Sequence, residues 1–166
     1  IMDNDNNEVT SVESENSTDI ASGDVEKISQ ELSVANPKLW STDSPNLYTM
    51  KTEVYVDDTL TDTYDTTFGI RYFNFDPDNG FTLNGVSMKL NGVCMHSDLG
   101  CLGTVSNYAG YDRQIKILKG MGVNAIRTSH NPPAPEFLTA CERNGILVMD
   151  EAFDCWEKPK NTNDYH

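Results

Sequence analysis

Basic residues are scarce in this sequence. Twelve Lys and Arg stand against 26 Asp and Glu in 166 residues, a net charge of −14, with three His. The deficit is concentrated at the front: residues 1–76 carry 16 acids and 4 bases, whereas residues 77–166 carry 10 and 8. Nucleic acid and anionic membranes both require a basic face, so neither is expected as a partner. An apolar run of about 18 residues is also missing, as is the shorter apolar stretch of a signal peptide, so no segment reads as a membrane span or a leader. The four cysteines, Cys94, Cys101, Cys141 and Cys155, include no C-x-x-C pair. They are expected to be reduced and mostly structural rather than a disulfide framework or a metal site. Nothing fixes a compartment, and a cytoplasmic one is the default reading.

What is present changes along the chain. IMDNDNNEV places a polar turn cluster between two apolar patches, the pattern of a hairpin. Ile1 falls inside what reads as a strand, as if the start were a cut. Residues 10–24 are rich in Ser, Glu and Asn, and disorder competes there with a sparse alternation that continues through Val25, Ile28, Leu32 and Val34. LYTMKTEVYV alternates with period two, as a strand of a half-buried sheet does. Asp57–Asp58 is a turn, and another strand is expected around Phe68–Phe73. Short strands separated by turns suggest a β-sandwich.

The pattern shifts at Asp76–Gly80, a turn or linker. Asn84-Gly85 and Asn91-Gly92 each signal a hairpin or tight turn. Val93, Cys94 and Met95 read as a buried strand ending in His96, Ser97 and Asp98. After a glycine-bearing loop over residues 99–110, Tyr111, Ile115 and Leu118 recur with helical spacing, opposite Arg113, Lys116 and Lys119. Gly120 and Gly122 close that helix. Val123, Ala125 and Ile126 form a second strand, which ends in Arg127, Ser129, His130 and Asn131 before Pro132–Pro133 forbids continuation. Pro135–Glu136 start a second helix with Phe137, Leu138 and Cys141 on one face, and Asn144–Gly145 stop it. Ile146–Met149 is a third strand, ending in Asp150 and Glu151, with Asp154 close behind.

Residues 88–151 therefore read β–α–β–α–β. Such parallel units need both faces of the sheet covered, and three strands cannot close a barrel, which takes about 250 residues. The stretch reads as a fragment, with an open sheet edge and little stable tertiary structure expected of its barrel part alone.

The strand ends bring together groups that bind ligands in α/β proteins: His96 and Asp98, then Arg127, His130 and Asn131, then Asp150 and Glu151. Structural roles compete at each. A histidine at a strand end can simply pack, and Arg127 can form an ion pair with Asp150 or Glu151. Trp156 can be core, or a platform for the apolar face of a pyranose. Two chemistries fit the whole set. His96-x-Asp98 with His130 and Asp150 could hold a divalent metal that activates water. Alternatively, the same groups hydrogen-bond sugar hydroxyls beside a glycosidic bond cut by two carboxylates.

NPKLWSTDSPNLY, FGIR, FTLNG, GVCMHSDLGCLG, DRQIKILKGMGVNAIRTSHNPPAPEFL and LVMDEAFDCW, in this order and spacing, resemble glycoside hydrolase family 2, closest to its β-galactosidase branch, over about residues 34–158. The resemblance implies a partial immunoglobulin-like β-sandwich, residues 1–75, followed by the first three βα units of a catalytic (β/α)8 TIM barrel, residues 76–166. It places His96 and His130 in the sugar subsite, with Arg127 supporting the pocket. Asp150, Glu151 and Trp156 would lie near the substrate or brace its floor, and Asp98 and Asn131 complete the substrate-binding set. The family's acid/base and nucleophilic glutamates belong to later strands, so no catalytic residue is expected within this chain and the 166 residues alone are expected to be inactive. Trp156 and Lys158 stand where some members carry magnesium ligands, so neither a metal site nor a cofactor is expected. The implied substrate is a terminal β-galactoside or related oligosaccharide, and oligomerisation of the full-length enzyme is compatible with this reading. The competing readings are a β-glucuronidase- or β-mannosidase-type member of the family, a non-catalytic carbohydrate-binding fragment, and the metal-dependent hydrolase.

Overall fold

The computed structural model describes residues 1–14, 18–155, 157–159 and 161–163. The chain divides into two units, Ile1–Lys38 with Asn46–Ile70, and Leu39–Pro45 with Arg71–His166.

In the first unit, β1 (Tyr48–Val56) and β2 (Thr59–Phe68) form an antiparallel hairpin. Its two-residue turn places Asp57 and Asp58 at φ 47° and 58°. Positive φ at both positions matches the right-handed twist of the strands, and aspartate tolerates it. Tyr48 is buried, stacks on Phe68 with ring centroids 5.9 Å apart, and accepts a hydrogen bond from Lys38 N at 2.8 Å. The expected half-buried sheet extends no further than this end, because TLTDTYDTTF offers no continuous apolar face. The amino-terminal hairpin forms: Met2 bridges Glu8 and Thr49, and Asp3 Oδ1 accepts from Asp5 N and Asn7 N, both at 2.9 Å. Among the described residues from Thr10 to Leu39, none lies in a helix or strand. Val25 and Ile28 are 94% and 63% exposed, so the sparse alternation there marks no buried face. The described residues of this unit supply one two-stranded sheet, not two facing sheets.

The strand expected around Phe68–Phe73 is two strand ends. β2 stops at Phe68, and β3 (Phe73–Asp76) pairs in the second unit with β4 (Gly80–Leu83), which pairs with β5 (Val86–Ser87). Asp76 Oδ1 accepts from Asp78 N (2.9 Å) and Asn79 N (2.7 Å), so Asp76–Gly80 is a hairpin turn, and the expected boundary at residue 76 falls inside it. Asn84–Gly85 also turns a hairpin, but Asn91–Gly92 does not. Asn91 N donates to Asn124 Oδ1 at 2.8 Å, and Gly92 begins a parallel strand opposite Ala125.

That strand, β6 (Gly92–Met95), lies beside β7 (Ala125–Thr128), and β7 beside β8 (Leu147–Met149), all parallel. The connections are α1 (Tyr108–Gly120) and α2 (Pro135–Asn144). Helix α1 starts three residues ahead of Tyr111 because Asn107 caps it, its side chain accepting from Gly110 N at 3.0 Å. Asn107→Ala is expected to cost about 1 kcal/mol in a denaturant melt. Helix α2 begins on Pro135, whose missing N–H is no loss in the first turn, and ends at Gly145 in the left-handed region at φ 70°.

Ile126, 1% exposed, centres the core with Ile115, Ala140, Cys141, Ile146 and the edge-to-face pair Tyr111–Phe137, while Val93 and Val148 pack from the flanking strands. Strand alternation places the in-register row Cys94, Arg127 and Met149 on the opposite face. Of the cysteines, Cys141 is buried, its thiol pushed up to about 12 by desolvation, whereas Cys94 and Cys101 are exposed. The expectation of mostly structural thiols therefore holds only in part. Among the described residues, no helix is long and apolar enough to cross a membrane.

Candidate functional site

At the carboxyl end of the parallel sheet, β7 and the chain just after β8 build one polar cluster. Arg127 Nε donates to Glu151 Oε1. Glu151 Oε2 lies 3.0 Å from His130 Nδ1, which also lies 3.0 Å from Arg127 Nη2. Arg127 Nη1 reaches across to β6 and donates to Cys94 Sγ at 3.2 Å. The backbone of Glu151 is tied as well, its N–H donating to Thr128 Oγ1 at 3.0 Å. Three side chains of one strand and its end thus hold a single carboxylate residue. The His96 ring meets the His130 ring edge-on, with centroids 5.8 Å apart. The Ser129–His130 peptide between them and the strand is cis.

The electrostatics follow the contacts. Arg127, then His130, hold the Glu151 carboxyl below its ordinary range, and Glu151, then Cys94, hold the Arg127 guanidinium above its own. The Ser129 side chain, then the Arg127 guanidinium, lowers the Cys94 thiol. Glu151 is therefore an anion at neutral pH, and its charge is matched by Arg127.

Other expected residues are placed elsewhere. Asp98 turns its carboxylate back on its own loop, accepting from Gly100 N at 2.6 Å, while its carbonyl accepts from Gln114 Nε2 at 3.2 Å. Asp150 is exposed, and the choice of partner for Arg127 falls on Glu151. Asn131 donates to Pro132 O at 3.0 Å and, with His96, Ser97 and Thr128, lines a cleft of about 20 Å³ on the helix side of the sheet. That is the space of about one water, so the cleft is no sugar site by itself. Trp156 lies outside the described residues. Among the described residues, no three His, Cys, Asp or Glu side chains form a metal-ligating group.

Two participants were missed in the sequence. Cys94 carries no motif, and only the parallel register that sets it opposite Arg127 reveals it. Thr128 is 5% exposed and reads as one more β-former, although a hydroxyl on the last residue of a buried strand is a signal for a local backbone contact.

The family model for the TIM barrel domain of glycosyl hydrolases family 2 matches residues 77–160, and a second model of the family matches residues 1–71. This chain belongs to glycosyl hydrolases family 2. It is 54% identical over 136 residues to the beta-galactosidase BoGH2A of Bacteroides ovatus, covering 82% of this chain and 16% of that protein. It is 32% identical over 121 residues to a beta-glucuronidase of Bacteroides fragilis, covering 72% of this chain and 17% of the relative. The crystal structure of a family 2 member from Bacteroides cellulosilyticus superposes with a TM-score of 0.75 at 46% identity, over 80% of this chain and 17% of that one. The chain spans about a sixth of the length of these family 2 relatives.

Proposed function

We propose that these residues form the sugar-binding side of the active site in a retaining exo-β-glycosidase, within the first βα units of its barrel. The observation that carries the reading is the Arg127–Glu151–His130 cluster at the carboxyl end of a parallel sheet, with His96 against it. Polar groups converge at this end of such sheets and bind ligands there. In the complete enzyme, a glutamic acid outside these residues protonates the leaving oxygen, and a second glutamate attacks the anomeric carbon. Water then hydrolyses the covalent glycosyl-enzyme. The residues described here orient the sugar ring for that chemistry.

We take terminal β-D-galactosides as the substrate class. A β-glucuronide carries a carboxylate and calls for a cation, but Arg127 is already neutralised by Glu151. The likeness to BoGH2A points the same way. The β-glucuronidase reading rests on the Bacteroides fragilis relative.

The test is the initial rate of the full-length protein on nitrophenyl β-D-galactoside, β-D-glucuronide and β-D-mannoside. The galactoside should give the highest kcat/KM. A glucuronide ranked first would replace the substrate class, and turnover of none of them would remove the glycosidase reading in favour of binding alone. The 166-residue chain by itself should turn over none.

A further inference from the structure

The ring of His130 has two nitrogens, and the cluster makes contradictory demands on one of them. Glu151 Oε2 can only accept and Arg127 Nη2 can only donate, yet both lie 3.0 Å from Nδ1. A proton on Nδ1 satisfies the carboxylate and faces the guanidinium donor to donor. A bare Nδ1 satisfies the guanidinium and faces the carboxylate lone pair to lone pair.

Exposure decides between them. The Arg127 side chain is 40% exposed, so water can serve Nη2, whereas the Glu151 side chain is 22% exposed and has less access to a substitute donor. Arg127 is also anchored without Nδ1, through Nε to Glu151 and Nη1 to Cys94. Glu151 cannot swing away to relieve the conflict, because Thr128 Oγ1 holds its backbone N–H at 3.0 Å and Arg127 holds its other oxygen.

We infer that Glu151 is a positioning residue that fixes neutral His130 as the Nδ1–H tautomer, so that Nε2 is presented as a hydrogen-bond acceptor. Among the described residues, Nε2 has no hydrogen-bond partner, and the side chain is 39% exposed. The group that fits Nε2 is a hydroxyl that donates, as any free sugar hydroxyl can, and not a carboxylate or an ether oxygen. This deepens the glycosidase reading by assigning the direction of one sugar hydrogen bond, and it rests on that reading only for the identity of the hydroxyl. Glu151 then acts on the sugar through His130.

Solid-state NMR of the full-length protein, with isotope-labelled histidine and at about pH 8, above the ordinary histidine range, reads the protonation of each ring nitrogen directly. The His130 signals are those lost in His130→Gln. The expected wild-type result is a protonated Nδ1 and a bare Nε2, and Glu151→Leu should move the proton to Nε2 by leaving Arg127 as the neighbour of Nδ1. A wild-type ring with the proton on Nε2, or on both nitrogens, overturns the assignment without need of a variant. A proton that stays on Nδ1 in Glu151→Leu overturns Glu151 as its cause. Failure to hydrolyse any glycoside would leave the ring spectrum unchanged, so the two readings fail separately.

Discussion

Alanine at position 130 lowers kcat/KM for a β-galactoside in the full-length enzyme by about 2–4 kcal/mol, the range expected when a polar contact tightens in an oxocarbenium-like transition state. The expectation comes from the way His130 is held. Its Nδ1 lies 3.0 Å from both Glu151 and Arg127, its ring is braced by His96, and among the described residues Nε2 has no hydrogen-bond partner. A side chain anchored in this way has lost its freedom before the sugar arrives, so its hydrogen bond contributes without a further ordering cost. The loss should fall mainly on kcat if the contact strengthens as charge develops at the anomeric carbon, and on KM if it holds the ground state equally. Steady-state kinetics of the purified variant, checked for an unchanged melting temperature, decides the matter. Unchanged kinetics would remove His130 from the site.

The second large effect is on stability, at Gly145→Ala, expected to cost about 2–4 kcal/mol from the left-handed backbone and overpacking together. Gly145 ends α2 at φ 70°, where a side chain is strained whatever the space around it. There is no space: a Cβ would collide with the carbonyl oxygen of Thr42 and would lie 2.7 Å from Lys119 Nζ. That lysine donates to the carbonyls of Thr42 (2.5 Å), Asn144 and Gly145 (3.3 Å), satisfying the end of α2 and the segment Leu39–Pro45 at once. Trp40 adds a bond from Nε1 to Glu142 O at 2.9 Å, and Arg71 lies over its ring at 4.6 Å. A glycine whose φ alone mattered would lose only the backbone part on substitution. A denaturant midpoint unchanged by Gly145→Ala would contradict the close approach of these segments.

The parallel half of the fold was legible because its signals are local. Pro135 and Gly145 mark the two ends of α2 in single residues, and the spacing of Tyr111, Ile115 and Leu118 gives the buried side of α1. The start of α1 was not, since Asn107 acts through one side-chain bond to Gly110 that a periodicity does not see. The end of β2 resisted for a different reason. Its threonine- and aspartate-rich sequence carries no apolar face to set a period, so neither its stop at Phe68 nor the separate start of β3 at Phe73 shows in the pattern.

At the site, Arg127 and His130 stood out as ionisable groups ending an apolar run, and Glu151 as one of two carboxylates able to meet them. Which carboxylate does so depends on the chain just after β8, where the Glu151 N–H is tied to Thr128 Oγ1. Asp98 ends the same apolar run as His96, and its carboxylate accepts from Gly100 N two residues on, a local contact that the strand pattern does not show. Cys94 depended on register, which no single strand reveals.

The central claim is that these residues bind the sugar while carboxylates elsewhere in the enzyme perform the chemistry. It is tested most directly by inactivating the full-length protein with an activated fluorogalactoside that traps the glycosyl-enzyme, then locating the modified peptide by mass spectrometry. The expected result is one sugar per chain on a glutamate outside residues 1–166, with faster reactivation when an acceptor alcohol is added. A sugar carried by Glu151, or by any other residue of this stretch, would contradict the account.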